Sequence, residues 1–303
     1  MSRGGFLNIA KPAGLTSRDV VDRVVRLVRP EKAGHAGTLD PLATGVLVVG
    51  VGSAVRLIEY VQQMPKSYTG TFLLGRSSDT EDVEGQVVER IEPPVPTAAA
   101  IEEAARTLTG PIMQRPPAYS ALKVAGRRAY ALARSGQTVE LAPRPITIHA
   151  LTVVAYEYPT VTLEVECSSG TYIRSLGRDL AESLGTGAVM SDLVRTAIGP
   201  YTLADAIDPG TLTAANLPSA LRSPLEALTE LPCVQLDEQQ ARLIRNGIAI
   251  PMPNDSNEIV ASPHVAADYA GEYKAIDASG RLVALLARRA SRELGPVRNF
   301  PTG

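Results

Sequence analysis

The chain has 303 residues, 45% hydrophobic and 20% charged, enough to bury a sizeable core and, by length, to form one large and one small domain. Its net charge of −2 excludes a uniformly basic nucleic-acid binder, and two cysteines without a CxxC spacing exclude a disulfide framework or a structural zinc site. The N-terminus lacks a long apolar segment and no stretch approaches the ~18 apolar residues of a membrane span, so no membrane contact and a cytoplasmic location are expected.

In chain order, a helical pattern opens at Ser17 and stops at Pro30, with Val20, Val21, Val24, Val25, Leu27 and Val28 along one side. The stretch 34–45 follows, and it carries the main signal. Gly34, Gly37 and Gly45 permit tight turns and close approach to a ligand, while Pro41 pushes Asp40 toward extended backbone. One carboxylate is thereby held at the tip of a rigid loop. The apolar, β-branched run over 45–52 predicts a buried strand that braces this loop.

Ser53 is expected to cap a second helix through 63, and 68–74 and 85–91 to form strands with acidic turn residues between them. Thr97 caps an Ala-rich helix that Gly110-Pro111 ends. The character changes over 114–145: a proline-rich stretch, 115–123, leads into a short basic helix over 127–134 closed by Gly136, the pattern of an insertion. Well-alternating strands are expected at 147–156 and 161–167, and Gly170-Thr171-Tyr172-Ile173-Arg174 then enters a helix to 184 that Gly185-Thr186-Gly187 terminates. Loop-like, proline-rich sequence over 217–232 marks a boundary, beyond which a capped helix and turn (236–250) and short strands (273–277, 282–286) predict a small β-rich domain. Hairpins mixed with crossovers indicate an α+β fold instead of a strictly alternating α/β one.

Several chemistries are excluded. Gly50-Val51-Gly52 lacks the third glycine of a dinucleotide fingerprint, Val55 standing in its place, and there is neither a GxxxxGK[ST] loop nor an HExxH helix. With only His35, His149 and His264 in the chain, a Ser-His-Asp triad is also disfavoured, which leaves carboxylate, Tyr, Arg and Lys to carry the chemistry. Charge is segregated: 106–149 holds seven Lys or Arg against Glu140 alone, 274–303 holds six against two acidic residues, and 79–103 holds eight acidic residues against Arg90. Such a surface can offer one face to RNA phosphates and keep another acidic.

Asp-Pro alone is ordinary turn chemistry, but the whole dodecapeptide Gly34-His35-Ala36-Gly37-Thr38-Leu39-Asp40-Pro41-Leu42-Ala43-Thr44-Gly45 resembles the signature loop of TruB-type tRNA pseudouridine synthases. Asn8-Ile9-Ala10-Lys11-Pro12-Ala13-Gly14 is similar to that family's KPxG element, Lys66-Ser67-Tyr68 to its tyrosine-bearing strand, and Gly170-Thr171-Tyr172-Ile173-Arg174 to its arginine-bearing element. Pro116-Pro117-Ala118-Tyr119-Ser120-Ala121-Leu122-Lys123 resembles the insert of the bacterial stand-alone enzymes. Ala10 departs from the pattern, since an acidic residue often precedes the lysine.

The resemblance implies a pseudouridine synthase catalytic domain over 1–230, built on a mixed, largely antiparallel sheet with flanking helices and carrying an RNA-binding thumb at 114–145, and a small β-rich, PUA-like RNA-binding domain over 231–303 that includes the basic Val297-Arg298-Asn299-Phe300. It implies isomerisation of uridine 55 in the T-arm of tRNA after the base is flipped out, with no cofactor and no metal, by a monomer that requires no protein partner. Asp40 is then the essential residue, as nucleophile or as base. Arg174 is its charged partner, able to grip a carboxylate bidentately, and Tyr68 stacks on the uracil and takes its C5 proton. Tyr172 and Leu193 line the uracil pocket, His35 stacks on a base or fills the gap left by flipping, and Lys11 braces the Asp loop or touches phosphate. Lys123, Arg127 and Arg128 make phosphate contacts. Two rivals stand beside this reading: a guide-RNA-dependent enzyme of the same superfamily, and a catalytically silent RNA-binding or RNA-folding protein.

Overall fold

The computed structural model describes residues 4–120, 122–124, 126–135, 141–252, 259–260, 271–289 and 292–300. Strand β1 (Gly5–Lys11) precedes helix α1 (Ser17–Val28), which Thr16 caps one residue earlier than the sequence suggests. The Thr16 hydroxyl accepts from the Asp19 amide, and the Asp19 carboxylate accepts from the Thr16 amide, forming a reciprocal capping box. Val20, Val21, Val24 and Val28 bury one face of α1 against Leu7, Ile9, Leu47 and Val49. Strands β2 (Ala33–His35) and β3 (Thr44–Val51) flank the Asp40 loop. Ser53 makes no helix cap: a 3₁₀ turn, Gly52–Leu57, leads into the short α2 (Ile58–Gln63) without a side-chain cap.

Next come β4 (Lys66–Leu74), the two-residue strands β5 (Arg76–Ser77) and β6 (Val88–Glu89), α3 (Ala98–Thr107), β7 (Gly110–Gln114), β8 (Lys123–Val124), β9 (Arg127–Arg128) and α4 (Ala129–Arg134). The first part of the molecule is completed by β10 (Arg144–Glu157), β11 (Thr160–Cys167), α5 (Ile173–Ser183), β12 (Ala188–Ile198) and β13 (Tyr201–Thr202). The large sheet runs β1-β3-β12-β4-β11-β10-β7, with β2 beside β3 and β13 beside β12. Within this sheet only β12 with β3 is parallel, so it is mixed and mainly antiparallel, as the family resemblance implies.

Three local expectations are corrected. The strand expected over 85–91 is reduced to Val88–Glu89, because only those residues find a partner, in Arg76–Ser77. The basic helix begins at Ala129, not at Arg127, because Arg127 and Arg128 fold back to pair with Lys123 and Val124 around Gly126, whose φ is +82°. Gly110-Pro111 not only ends α3 but begins β7, where the proline is tolerated on the sheet edge. Strand β12 has no clear signal in the sequence: register shifts between Met190 and Asp192 and between Arg195 and Ala197 break its alternation.

The core beneath the large sheet joins Phe72, Leu163 and Met190 on the strands to Ile101, Leu176 and Leu180 on α3 and α5. Gly177 sets how closely α5 lies on β4, since a Cβ there would come within 2.2 Å of the Phe72 ring. Gly45 does the same where β3 meets β12: its φ is +100°, and a Cβ would sit 2.2 Å from the Arg195 carbonyl oxygen. Gly45→Ala is therefore expected to lower stability by roughly 3 kcal/mol or more, seen as a fall in the urea midpoint at unchanged m-value.

After α6 (Leu217–Ala220) come β14 (Cys233–Gln235), α7 (Glu238–Arg245), β15 (Ile250–Pro251), β16 (Ile259–Val260), β17 (Glu272–Ile276), β18 (Leu282–Arg288) and β19 (Glu293–Asn299). These six strands form a second sheet in the order β15-β19-β18-β17-β14-β16, with its own core of Val234, Ile244, Ala275, Val283, Leu286 and Leu294. Leu282, Leu285 and Phe300 pack against Phe6, Leu57 and Tyr60 of the first part, and the Tyr60 hydroxyl donates to Glu272 at 2.6 Å. Cys167 and Cys233 are free thiols. Among the described residues no helix is long and apolar enough to cross a membrane.

Candidate active site

The loop between β2 and β3 is tied down from several directions. Ser17, at the start of α1, accepts from the Leu39 amide at 2.8 Å and donates back to the Leu39 carbonyl at 3.2 Å. The Pro41 carbonyl accepts from the Gly14 amide at 2.9 Å and from Lys11 Nζ at 3.2 Å. Lys11 is 1% exposed and gives its other two protons to the Pro12 and Leu15 carbonyls, so its three donors are all spent on backbone. Burial holds its ammonium pKa below the usual lysine range. Lys11 thus braces the loop; no donor is left over for a phosphate.

Asp40 emerges from this scaffold with its side chain 36% exposed, and Oδ2 lies 3.0 Å from Arg174 Nε. The second residue of α5 carries that arginine onto the Asp loop because α5 lies directly on β4. The grip on Asp40 is not bidentate. Arg174 Nη1 instead donates to the Thr80 carbonyl at 2.6 Å and lies 3.4 Å from Asp82 Oδ2, while Nη2 donates to the Tyr119 carbonyl at 3.1 Å. The planar fork is shared among four acceptors, which fixes its orientation by more constraints than one carboxylate could supply.

Both residues line a cleft of about 700 Å³ whose walls also include Leu39, Tyr68, Tyr172 and Leu193. Tyr68 is buried on β4, and burial pushes its phenol pKa above the usual tyrosine value. Tyr172 is held by a two-way hydrogen bond to the buried Gln114, which accepts from the Tyr172 amide at 2.8 Å and donates to its carbonyl at 3.0 Å. The Arg144 guanidinium lies 5.0 Å from the Tyr172 ring centroid, a cation–π contact that fixes the ring face. Leu193 is buried on β12.

The structure therefore brings Asp40, Arg174, Tyr68, Tyr172 and Leu193 to one cleft, with Lys11 behind the loop. His35 is not among the cleft-lining residues: it sits half-buried on β2 with Nδ1 buried and unpartnered, and burial lowers its pKa, favouring the neutral imidazole. Lys123, Arg127 and Arg128 have their backbone in the β8-β9 ribbon, and their side chains lie outside the described residues. Among the described residues no three His, Cys, Asp or Glu side chains cluster to hold a metal ion.

Sequence reasoning misses two residues here. Asp82 looks like one more charge in the acidic 79–103 stretch, yet its side chain is only 5% exposed. Its Oδ1 accepts from Thr80 Oγ1 at 2.5 Å and from the Glu84 amide at 3.0 Å, leaving Oδ2 to face Arg174. No local pattern marks it, because its partner is about 90 residues away. Asp82→Asn is expected to slow turnover roughly 10- to 100-fold with RNA binding unchanged, since the arginine loses one of its fixing acceptors; single-turnover rates beside filter-binding isotherms check this. Arg195 is the second, a fully buried cation on the strand that has no clear signal.

A pinned carboxylate facing an aromatic floor suits attack on, or proton removal from, a flat heterocyclic nucleotide. Together with the mixed sheet this points to an enzyme of the base-modifying class. The same fold occurs in the crystal structure of a Cbf5-Nop10-Gar1 complex, at TM-score 0.72 and 24% identity over 98% of this chain and 84% of that one. It occurs also in an H/ACA RNP bound to a substrate RNA containing 2′-deoxyuridine, at TM-score 0.70 and 23% identity over 98% and 85%.

Within that class the chain belongs to the TruB family of pseudouridylate synthases. The TruB family pseudouridylate synthase N-terminal domain matches residues 25–173, and the tRNA pseudouridylate synthase B C-terminal domain matches 174–230. Similar relatives include tRNA pseudouridine synthase B of Arthrobacter sp., 44% identical over 93% of this chain and 92% of that protein, and that of Mycobacteroides abscessus, 41% identical over 98% and 96%. The chain is thus a pseudouridine synthase.

Proposed function

We propose that this chain converts uridine 55 in the T-arm of tRNA to pseudouridine, acting in the cytoplasm as a monomer without guide RNA or protein partner. The observation that carries the reading is Arg174 Nε held 3.0 Å from Asp40 in the cleft that Tyr68, Tyr172 and Leu193 line. The substrate follows from relatives that are tRNA pseudouridine synthases B at 40–44% identity over most of both chains. The Cbf5 complexes share the fold at 22–24% identity, which is a weaker guide to substrate.

In this reading the T-arm uridine swings out of its stack at a cost of a few kcal/mol, offset by phosphate contacts and by stacking on Tyr68. Asp40 opens the reaction, as nucleophile or as base toward the ribose, and the N1–C1′ bond breaks. The uracil turns and C5 bonds to C1′; the C5 proton then leaves to Tyr68 and the ring's double bond is restored. Tyr172 and Leu193 hold the ring during the turn, and Arg174 keeps Asp40 aimed. His35, next to the cleft-lining Ala36, stacks on an RNA base or fills the gap left by flipping.

Residues 1–230 form the catalytic domain in this proposal, 114–145 its RNA-gripping thumb, and 231–303 a PUA-like RNA-binding domain. Lys123, Arg127 and Arg128 contact phosphates. Their combined replacement by Ala is expected to weaken tRNA binding and to flatten the plot of log K against log salt by up to about 2 to 3 units, roughly 0.9 per lost phosphate contact. Filter binding across a salt series reads this out.

The proposal is tested by incubating purified protein with unmodified tRNA tritiated at uridine C5. Label released stoichiometrically from position 55 without guide RNA supports it. No release, or release only on adding guide RNA and partner proteins, overturns it in favour of a silent binder or a guided enzyme respectively.

A further inference from the structure

Arg195 is the largest side chain to be fully buried in the described residues, at 1% exposure, and it lines the same cleft as Asp40 and Tyr68. Its Nε donates to the Val46 carbonyl at 2.7 Å and its Nη2 to the Gly37 carbonyl at 3.1 Å. Among the described residues no carboxylate lies within ion-pair distance of it. Removing a cation from water without an anion is costly, and two neutral carbonyls offset that only in part. Structure alone would be served by an apolar side chain, so the uncompensated charge calls for an anion that is present during the reaction.

The sheet specifies where that anion forms. Arg195 on β12 pairs directly with Tyr68 on β4, so the two side chains leave the same face, and the guanidinium and phenol interact side chain to side chain. We propose that Arg195 is a positioning residue for the isomerisation: from its buried seat between the Gly37 carbonyl and the Tyr68 hydroxyl, it stabilises Tyr68 as the phenolate that accepts the uracil C5 proton. This rests on the proposed function above. The step balances as follows. Tyr68 first gives its own proton to solvent. The C5–H bond then breaks, its electron pair restores the ring double bond, and the proton forms the new O–H bond on Tyr68.

The other groups around the phenol do not supply this charge. Burial disfavours the phenolate, and so does the Asp40 carboxylate at the cleft mouth. Cys167 on β11 is a buried thiol whose pKa is itself pushed up to about 11 by burial. Lys66, on β4 two residues before Tyr68, donates to the Gln62 and Met64 carbonyls, with a pKa lowered to about 8 by burial. Arg174 is engaged with Asp40 and Asp82, Lys11 with the Asp loop, and His35 is half-buried and held toward its neutral form.

The test uses the full-length protein and tRNA carrying hydrogen, deuterium or tritium at uridine 55 C5, in single-turnover experiments on Arg195→Lys and Arg195→Gln. Arg195→Gln is expected to bind tRNA normally and to react roughly 10- to 100-fold more slowly at neutral pH, as loss of a charge-assisted hydrogen bond requires, with Arg195→Lys in between. The deficit should shrink as pH rises, because removing the cation raises the phenol pKa. A primary C5 deuterium isotope effect should appear or grow, and 3-fluorotyrosine at position 68, a more acidic phenol, should restore much of the rate. In a Tyr68→Phe background the Arg195 substitutions should add little.

A deficit equal at every pH, with no isotope effect and no fluorotyrosine rescue, overturns the proposal and leaves Arg195 a structural brace. If both variants fail to fold, fluorotyrosine in the parent decides: a pH–rate profile displaced to lower pH supports phenolate chemistry, and an unmoved profile overturns it. Failure of the parent itself to release C5 label would strike the proposed function, not the role of Arg195 within it.

Discussion

Asp40→Asn is expected to leave tRNA affinity within about twofold of the parent and to lower the single-turnover rate by at least about four orders of magnitude. Asparagine keeps the size and the loop geometry: Ser17, Gly14 and Lys11 hold the backbone of Leu39 and Pro41, not the Asp40 side chain. What vanishes is the negative charge, and a neutral amide can neither form an ester-like bond to carbon nor remove a ribose proton at a useful rate. Binding survives because phosphate contacts and stacking supply it. A deficit expressed in affinity with the rate intact would place the loop in binding instead of chemistry.

Arg174→Lys has the second largest expected effect. A lysine ammonium offers three protons from one point, whereas Arg174 reaches Asp40, Asp82, the Thr80 carbonyl and the Tyr119 carbonyl through three separated nitrogens. No lysine rotamer serves all four, so Asp40 loses its aim even though a positive charge is retained. A misplacement of about 1 Å at the reacting group is worth roughly 100-fold, and an expected loss of 10²- to 10³-fold follows, with tRNA binding unchanged. Arg174→Met goes further and strands Asp82, whose side chain is only 5% exposed, without a countercharge. That variant should unfold more easily by about 3 to 5 kcal/mol, measurable by urea titration. Activity loss without such destabilisation would mean that Asp82 finds another partner.

What could be read from the sequence divides along physical lines. Asp40 was legible because glycines and a proline leave a chemical signature within twelve residues, and α1 because its valines recur at helical spacing. The α+β character followed from mixed hairpins and crossovers, and Tyr68, Tyr172, Arg174 and Leu193 from motif resemblance; all four line the cleft. The shared grip of Arg174 was not legible, since Thr80, Asp82 and Tyr119 reach it across the fold from 55 to 94 positions away. Strand β12 escaped because two register shifts destroy its period, and Arg195 went with it. The hairpin at Lys123–Val124 and Arg127–Arg128 escaped because two-residue strands have no period to detect.

The central claim, that a flipped uridine lies between Asp40 and Tyr68, is tested most directly by a crystal structure of the protein with a T-arm stem-loop carrying 5-fluorouridine at position 55. The account predicts that the pyrimidine is out of the helix, stacked on Tyr68, flanked by Tyr172 and Leu193, with Asp40 against the ribose or base and still held by Arg174. A base left stacked in the RNA, or seated in any other part of the molecule, would contradict it.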